Sequence, residues 1–351
     1  MRPLDSASRR FAFVLCAGLL ACAALPASAQ DTTVQATTAA PAGDDGIRTV
    51  DAVVVSGVQP GPGLWKVEKD GHVMWVLGTQ SPLPKRMQWH PDEVEAALAA
   101  SQEILYAPSL GISVKTGGFF RSLLLVPKMF GARKNPDGKT LRDVLPPEVY
   151  ARWLPLRERY LGRGRGVERM RPMFAAGELW EEALDDNDLV SSGVVASTIE
   201  RGVKQHGLRE TRPKRLLEIT DPKALLAEIE HASLDDTQCL LATVERLEAG
   251  PERLRARANA WAVGDIAALR ALPDVDQRAA CAEAAMQSPA LRKRGGAGID
   301  AEMERIWLEA AEHALANNAS TFAVLPIRDL LSANGYLSKL AARGYAVTAP
   351  E

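Results

Sequence analysis

The stretch Val73-Met74-Trp75-Val76-Leu77-Gly78-Thr79-Gln80-Ser81-Pro82 reads as a buried strand running into a Gly-Thr turn. In an α/β protein, chemistry concentrates in the loops that leave the C-terminal ends of strands. The side chain that this turn offers is Ser81. A serine nucleophile needs a base within hydrogen-bond reach. None is identifiable near Ser81, and no Gly-x-Ser-x-Gly elbow surrounds it. Ser81 therefore reads first as a turn serine and only second as a nucleophile. The five histidines, His72, His90, His206, His231 and His313, show no metal-ligand spacing. His90 reads as part of a helix start, and His72 as an exposed residue of a hairpin. The loop Gly162-Arg163-Gly164-Arg165-Gly166 reads as a solvated basic connector, with anion binding as the second reading.

Leu64-Trp65-Lys66-Val67, Trp75-Val76-Leu77-Gly78-Thr79-Gln80-Ser81 and Leu83-Pro84 together resemble the TraB/GumN family. The likeness extends over most of residues 60–350. It takes in Arg171-Pro172, Leu217-Glu218-Ile219, Ala260-Trp261-Ala262-Val263-Gly264-Asp265 and Gly344-Tyr345-Ala346-Val347. The resemblance implies a metal-dependent hydrolase built on Gly-x-x-His used twice, with acidic residues after the second core strand. A divalent metal is the implied cofactor. This chain departs from that pattern at the chemical positions. Ser81 stands at the first histidine, Asp329 at the second, Pro326 at the second glycine and Ala107 at the usual glutamate. Serine is a poor first-row metal ligand beside imidazole, so no metal ligand set is expected. The candidate residues of a vestigial cleft are Gly78, Thr79, Ser81, Arg171, Glu218, Arg328 and Asp329. Within it, Asp329 reads as the cap of a helix opening at Leu330-Leu331, or as a ligand or general acid. Glu218 reads as the buried partner of Arg171 or Arg328, or as a catalytic carboxylate.

A hairpin, further strands and a set of helices must position such a cleft. Asp70-Gly71 between Leu64–Val67 and Val73–Leu77 is a hairpin signal. Strands are expected at Ile104–Ala107, Lys214–Ile219, Thr321–Leu325 and Tyr345–Thr348. Helical spacing is expected over Val94–Ala99, Val149–Tyr160, Met173–Leu184, Val194–Val203, Ala224–Leu247, Leu254–Val263, Ile266–Leu272, Ala279–Met286, Glu302–Ala316 and Leu330–Arg343. Between 111 and 168 the pattern is irregular, with an apolar run at Gly117–Val126. Strands at both ends with helices between imply a single α/β domain, residues 60–351. Its central mixed sheet would gather both ends of the chain, with helices around it.

Composition narrows the function classes. With 46% apolar residues the chain can bury a sizeable core. It carries 42 basic and 44 acidic residues, so the basic footprint of a nucleic-acid binder is missing. Residues 1–29 read as a secretory signal: Arg9-Arg10, the apolar run Phe11–Leu25, then Ala27-Ser28-Ala29. The run is too short to span a membrane. A lipoprotein anchored through Cys22 in Leu19-Leu20-Ala21-Cys22 is the alternative. Residues 30–59 read as a disordered leader, with Val50–Val58 as a possible edge strand. Cleavage would leave Cys239 and Cys281, an even pair that in an exported chain suggests a disulfide; the second reading is two buried free thiols. The expectation is a periplasmic or secreted, non-catalytic binding or scaffolding module for a peptide or cell-envelope ligand. A hydrolase with a rearranged serine and carboxylate site is the alternative.

Overall fold

The computed structural model describes residues 61–114, 130–164, 166–231, 236–272 and 277–350. The signal segment, Cys22, the leader with its Val50–Val58 strand, the apolar run Gly117–Val126 and Arg165 lie outside the described residues. The strands are β1 (Leu64–Lys69), β2 (His72–Thr79), β3 (Leu83–Pro84), β4 (Glu103–Leu105), β5 (Ser109–Val114), β6 (Leu189–Val190), β7 (Arg209–Thr211), β8 (Lys214–Ile219), β9 (Ser320–Pro326) and β10 (Ala346–Thr348). The longer helices are α1 (Asp92–Ala100), α2 (Pro147–Tyr160), α3 (Pro172–Asp186), α4 (Ala196–His206), α5 (Pro222–His231), α6 (Thr237–Glu248), α7 (Pro251–Ala262), α8 (Ile266–Ala271), α9 (Gln277–Gln287), α10 (Ile299–Asn317), α11 (Ile327–Leu331) and α12 (Tyr336–Ala342).

β1 and β2 form the expected hairpin. Lys69 faces His72 across a two-residue turn, and Asp70 and Gly71 have φ of 53° and 85°. Two consecutive positive φ values define the turn whose twist matches that of the flanking strands. The central sheet is six-stranded in the order β10-β1-β2-β9-β4-β7. β10, β1 and β2 pair antiparallel, and β2, β9, β4 and β7 pair parallel. The sheet therefore gathers both ends of the described chain. β1 alternates, with Trp65 and Val67 buried, whereas Val76-Leu77-Gly78 of β2 are buried in succession. That is the signature of a strand covered on both faces. His72, expected at the surface, is half-buried, and its Nδ1 donates to the Asn318 carbonyl oxygen at 2.7 Å.

The core is double. One part joins the sheet to α1, α4, α7, α10, α11 and α12 through Trp65, Met74, Leu98, Trp261, Trp307 and Phe322. The other is mainly helical, built on Trp153, Leu179, Trp180, Cys239, Leu240 and Val244 of α2, α3 and α6, with Leu189 of β6 joining it. In α3 the buried residues Ala175, Ala176, Leu179, Trp180, Ala183 and Leu184 follow helical period. Pro172 occupies the first helical position, where its missing N–H costs nothing. The expected bridge is formed: Cys239 of α6 is disulfide-bonded to Cys281 of α9.

Four expectations are corrected. The helical pattern Ala224–Leu247 is broken into α5 and α6, and the carboxylate of Asp236 at the break accepts from the Met173 N–H at 3.0 Å. The pattern Leu330–Arg343 is likewise divided, at Ser332–Gly335. A Cβ on Gly335 would lie 2.1 Å from the Asp329 carbonyl oxygen, so only glycine fits that turn. β8 does not enter the central sheet; it pairs parallel with β5, a strand that runs into the region of irregular pattern from Ser109. Glu218 is therefore exposed on β8 rather than buried beside the strand ends.

One buried carboxylate locks the far edge of the sheet. Glu103, at the start of β4, is 2% exposed. It accepts hydrogen bonds from Arg209 Nη2, Thr211 Oγ1 and, at 2.7 Å, Asn318 Nδ2. Burial alone would push its pKa up. The hydrogen bonds from Arg209, Thr211 and Asn318 outweigh burial, and the pKa lies below the ordinary 4.5. A depressed carboxylate stabilises the fold fully above its unfolded pKa, and that contribution is lost as pH falls through the folded value. Glu103→Gln is thus expected to cost about 1–3 kcal/mol near pH 7. Urea titrations at descending pH should show the gap to wild type closing below pH 4.5. A gap that widens in acid would contradict the assignment.

Candidate functional site

Because β2, β9, β4 and β7 are parallel, their C-terminal ends Thr79, Pro326, Leu105 and Thr211 lie on one edge of the sheet. The loops that leave them converge there. Gly78 sits directly beneath the turn, and a Cβ on it would lie 2.4 Å from Ile327 Cδ1 and 3.0 Å from Leu330 Cδ1. Glycine thus lets α11 close onto the strand end. The Gly78 carbonyl oxygen accepts the Trp261 indole N–H at 2.6 Å. Thr79 Oγ1 donates to the Leu325 carbonyl oxygen at 3.3 Å. These contacts fix the turn from three sides.

Beyond Gly78 the turn meets arginines. Ser81 Oγ donates to the Ser191 carbonyl oxygen at 2.9 Å and accepts from Arg278 Nη2 at 3.2 Å. The Ser81 carbonyl oxygen accepts from Arg246 Nη2 and from Gln80 Nε2, each at 3.1 Å. The Arg246 guanidinium lies 4.8 Å from the centre of the Trp180 ring, within cation–π range. Arg328 Nε donates to Asp329 Oδ1 at 3.3 Å.

Three cavities open along this edge. One of about 370 Å³ lies between the turn, Tyr106 and the start of α4. A second of about 110 Å³ is lined by Thr79, Gln80, Ser81, Trp180, Arg246, Arg278 and Arg328. A third of about 400 Å³ is lined by Ala107, Asp300, Glu304, Asp329 and Tyr336, with Arg328 in the wall it shares with the second. Burial first, then the charge of Asp329, pushes the Tyr336 hydroxyl up to about 12, so it stays a neutral donor. A larger hollow of about 960 Å³, lined by Trp75, His90 and Val263, shares no residue with these three.

The structure brings Thr79, Ser81 and Arg328 to one cavity, with Gly78 packed beneath them against Ile327 and Leu330, whereas Asp329 and Ala107 face the neighbouring cavity. Asp329 lies within the first turn of α11 instead of capping it from outside. Arg171 is remote, buried before α3, donating to the carbonyl oxygens of Ala132 at 3.0 Å, Glu230 at 3.1 Å and Ile229. Sequence reasoning missed Gln80, Tyr106, Trp180, Arg246 and Arg278. A signal for the two arginines was present: Arg246 follows Cys239 by two helical turns, and Arg278 precedes Cys281 by one. The disulfide that staples α6 to α9 therefore also gathers their guanidinium groups.

A sheet fed from both ends of the chain, with a strand–Gly–turn site at its edge, defines the class. The chain belongs to the TraB/PrgY/gumN family, whose model matches residues 63–349. No curated protein and no solved structure matches the chain significantly. The family resemblance implies a divalent metal, and the donors at the turn do not fit one. Guanidinium groups donate and cannot ligate, and here Arg278 occupies the Ser81 hydroxyl that would have to turn toward the ion. Ser81 and Asp329, at the two histidine positions, line different cavities. Among the described residues no group of three or more His, Cys, Asp or Glu converges, and no helix is long and apolar enough to cross a membrane.

Proposed function

We propose that this protein is an exported, non-catalytic binding module of the cell envelope, in which the strand-end site binds anionic groups in place of a metal. The observation that carries the reading is the cationic environment of the turn. Arg246, Arg278 and Arg328 line one cavity with Ser81, where metal-dependent hydrolysis would need a cation-binding set of imidazoles and carboxylates. Export is supported by the N-terminal Arg9-Arg10, apolar run and Ala27-Ser28-Ala29. The Cys239–Cys281 bond agrees with an oxidising compartment. A serine hydrolase gains nothing from the geometry, because the Ser81 hydroxyl proton is directed to a carbonyl oxygen, which cannot serve as a base.

Elemental analysis of the purified protein and calorimetric titration with Zn²⁺ and Mn²⁺ test the reading. The expected result is no stoichiometric metal and no peptidase turnover with metal added. Stoichiometric binding at micromolar affinity or tighter would overturn it.

A further inference from the structure

We propose that the cavity of about 370 Å³ beside the turn is a carboxylate-end site: it takes an N-acylated apolar amino acid whose carboxylate is free. The inference deepens the binding-module reading and rests on it. Its volume is at the lower end of small-molecule sites, enough for one apolar residue with its flanking amide and carboxylate. Leu83, Val194, Val195, Ile199 and Val324 supply the apolar wall.

Two polar features sit where such a ligand needs them. Arg278 reaches the cavity at the turn, and among the described residues its partners there are two neutral oxygens, Ser81 Oγ at 3.2 Å and the Ser191 carbonyl at 3.5 Å. Its charge is oriented but not neutralised by them, as carboxylate recognition requires. Gln80 is 5% exposed, lines the cavity, and leaves Oε1 without a hydrogen-bond partner. A buried acceptor of this kind calls for an N–H donor, which the amide of an acylated amino acid provides. The first amides of α4 are already engaged, Ser197 N–H with the Gly193 carbonyl oxygen and Thr198 and Ile199 N–H with that of Val195, so the carboxylate rests on Arg278. The other charged groups at the wall are Arg212 and Glu200. Arg212 is paired with Glu210 and stacked 3.6 Å over the Tyr106 ring. Glu200 opposes a second negative charge, so the site suits a monoanion over a phosphate dianion.

The ligand chemistry could come from a free acyl-amino acid or from the C-terminus of a peptide. Calorimetric titration of the purified protein would use N-acetyl-leucine, N-acetyl-leucinamide, and a short peptide ending in leucine as its acid and as its amide. The acids should bind at least tenfold more tightly than the amides. Arg278→Ala should remove that discrimination, and Gln80→Leu should weaken both acids, with circular dichroism verifying folding. Equal binding of both acids assigns recognition to the terminal residue alone; binding of the peptide acid only assigns it to a peptide end. Acids and amides of equal affinity, no binding of either acid at millimolar concentration, or an Arg278→Ala variant with unchanged discrimination would each overturn the proposal. These outcomes are distinguishable from metal uptake, which would sink the broader reading instead.

Discussion

Trp261→Ala is expected to cost about 3–5 kcal/mol of stability, the range for removing a buried tryptophan, and to lower the melting midpoint by on the order of 10 °C. Trp261 is 1% exposed and packs against Trp89 at a ring-centroid distance of 6.0 Å. Its indole N–H also donates to the Gly78 carbonyl oxygen. The substitution therefore opens a cavity in the sheet core and orphans an acceptor directly under the turn. Trp261→Phe separates the two effects. It keeps most of the ring volume and removes the donor, so its cost should be about 1–3 kcal/mol. Thermal and urea unfolding of the three proteins would measure the series. If Trp261→Phe is as stable as wild type, the indole hydrogen bond contributes nothing and the turn is held by packing alone.

Reduction of the Cys239–Cys281 bond should be comparably costly. Its sequence separation is 42 residues, for which the chain-entropy treatment gives about 4 kcal/mol. The bond joins α6 to α9 inside the helical core, where Cys239 is fully buried. Cys281, half-buried, is the better position for Cys281→Ser, since a serine at 239 would also bury an unpaired hydroxyl. Oxidised, reduced and Cys281→Ser proteins are to be compared by urea unfolding. Because Arg278 lies one turn from Cys281, the same treatment should weaken carboxylate binding. Coincident unfolding curves with and without reductant would show that the bridge contributes nothing to the fold.

Much of the site's setting was legible because its signals are local. Asp70-Gly71 announces a turn with two positive φ values, and the structure has them. Pro172 announces the start of α3, and Gly264-Asp265 a break between helices; that Asp265 also caps the second, its Oδ1 accepting from the Ala268 N–H at 2.8 Å, is visible only in the structure. Glu218 was misplaced for the opposite reason. The apolar run Leu216-Leu217-Glu218-Ile219 specifies a strand but not its neighbour. Pairing with β5 in a separate sheet depends on a segment whose own pattern is irregular. The break between α5 and α6 was equally hidden, since it is held by a contact from Asp236 to Met173 across 63 residues.

By itself, then, the sequence determined the kind of molecule: strands at both ends of one α/β domain, a cysteine pair, and a strand–Gly–turn that carries serine where imidazole is expected. These are decided by backbone conformation, side-chain chemistry and spacing, all of which are local. The tertiary structure alone decided what the turn meets. Arg278 reaches Ser81 from 197 residues away and Arg246 from 165. Such meetings follow from how α6 and α9 pack against the sheet edge, and a helix's own periodicity cannot specify which distant turn its polar face will cover.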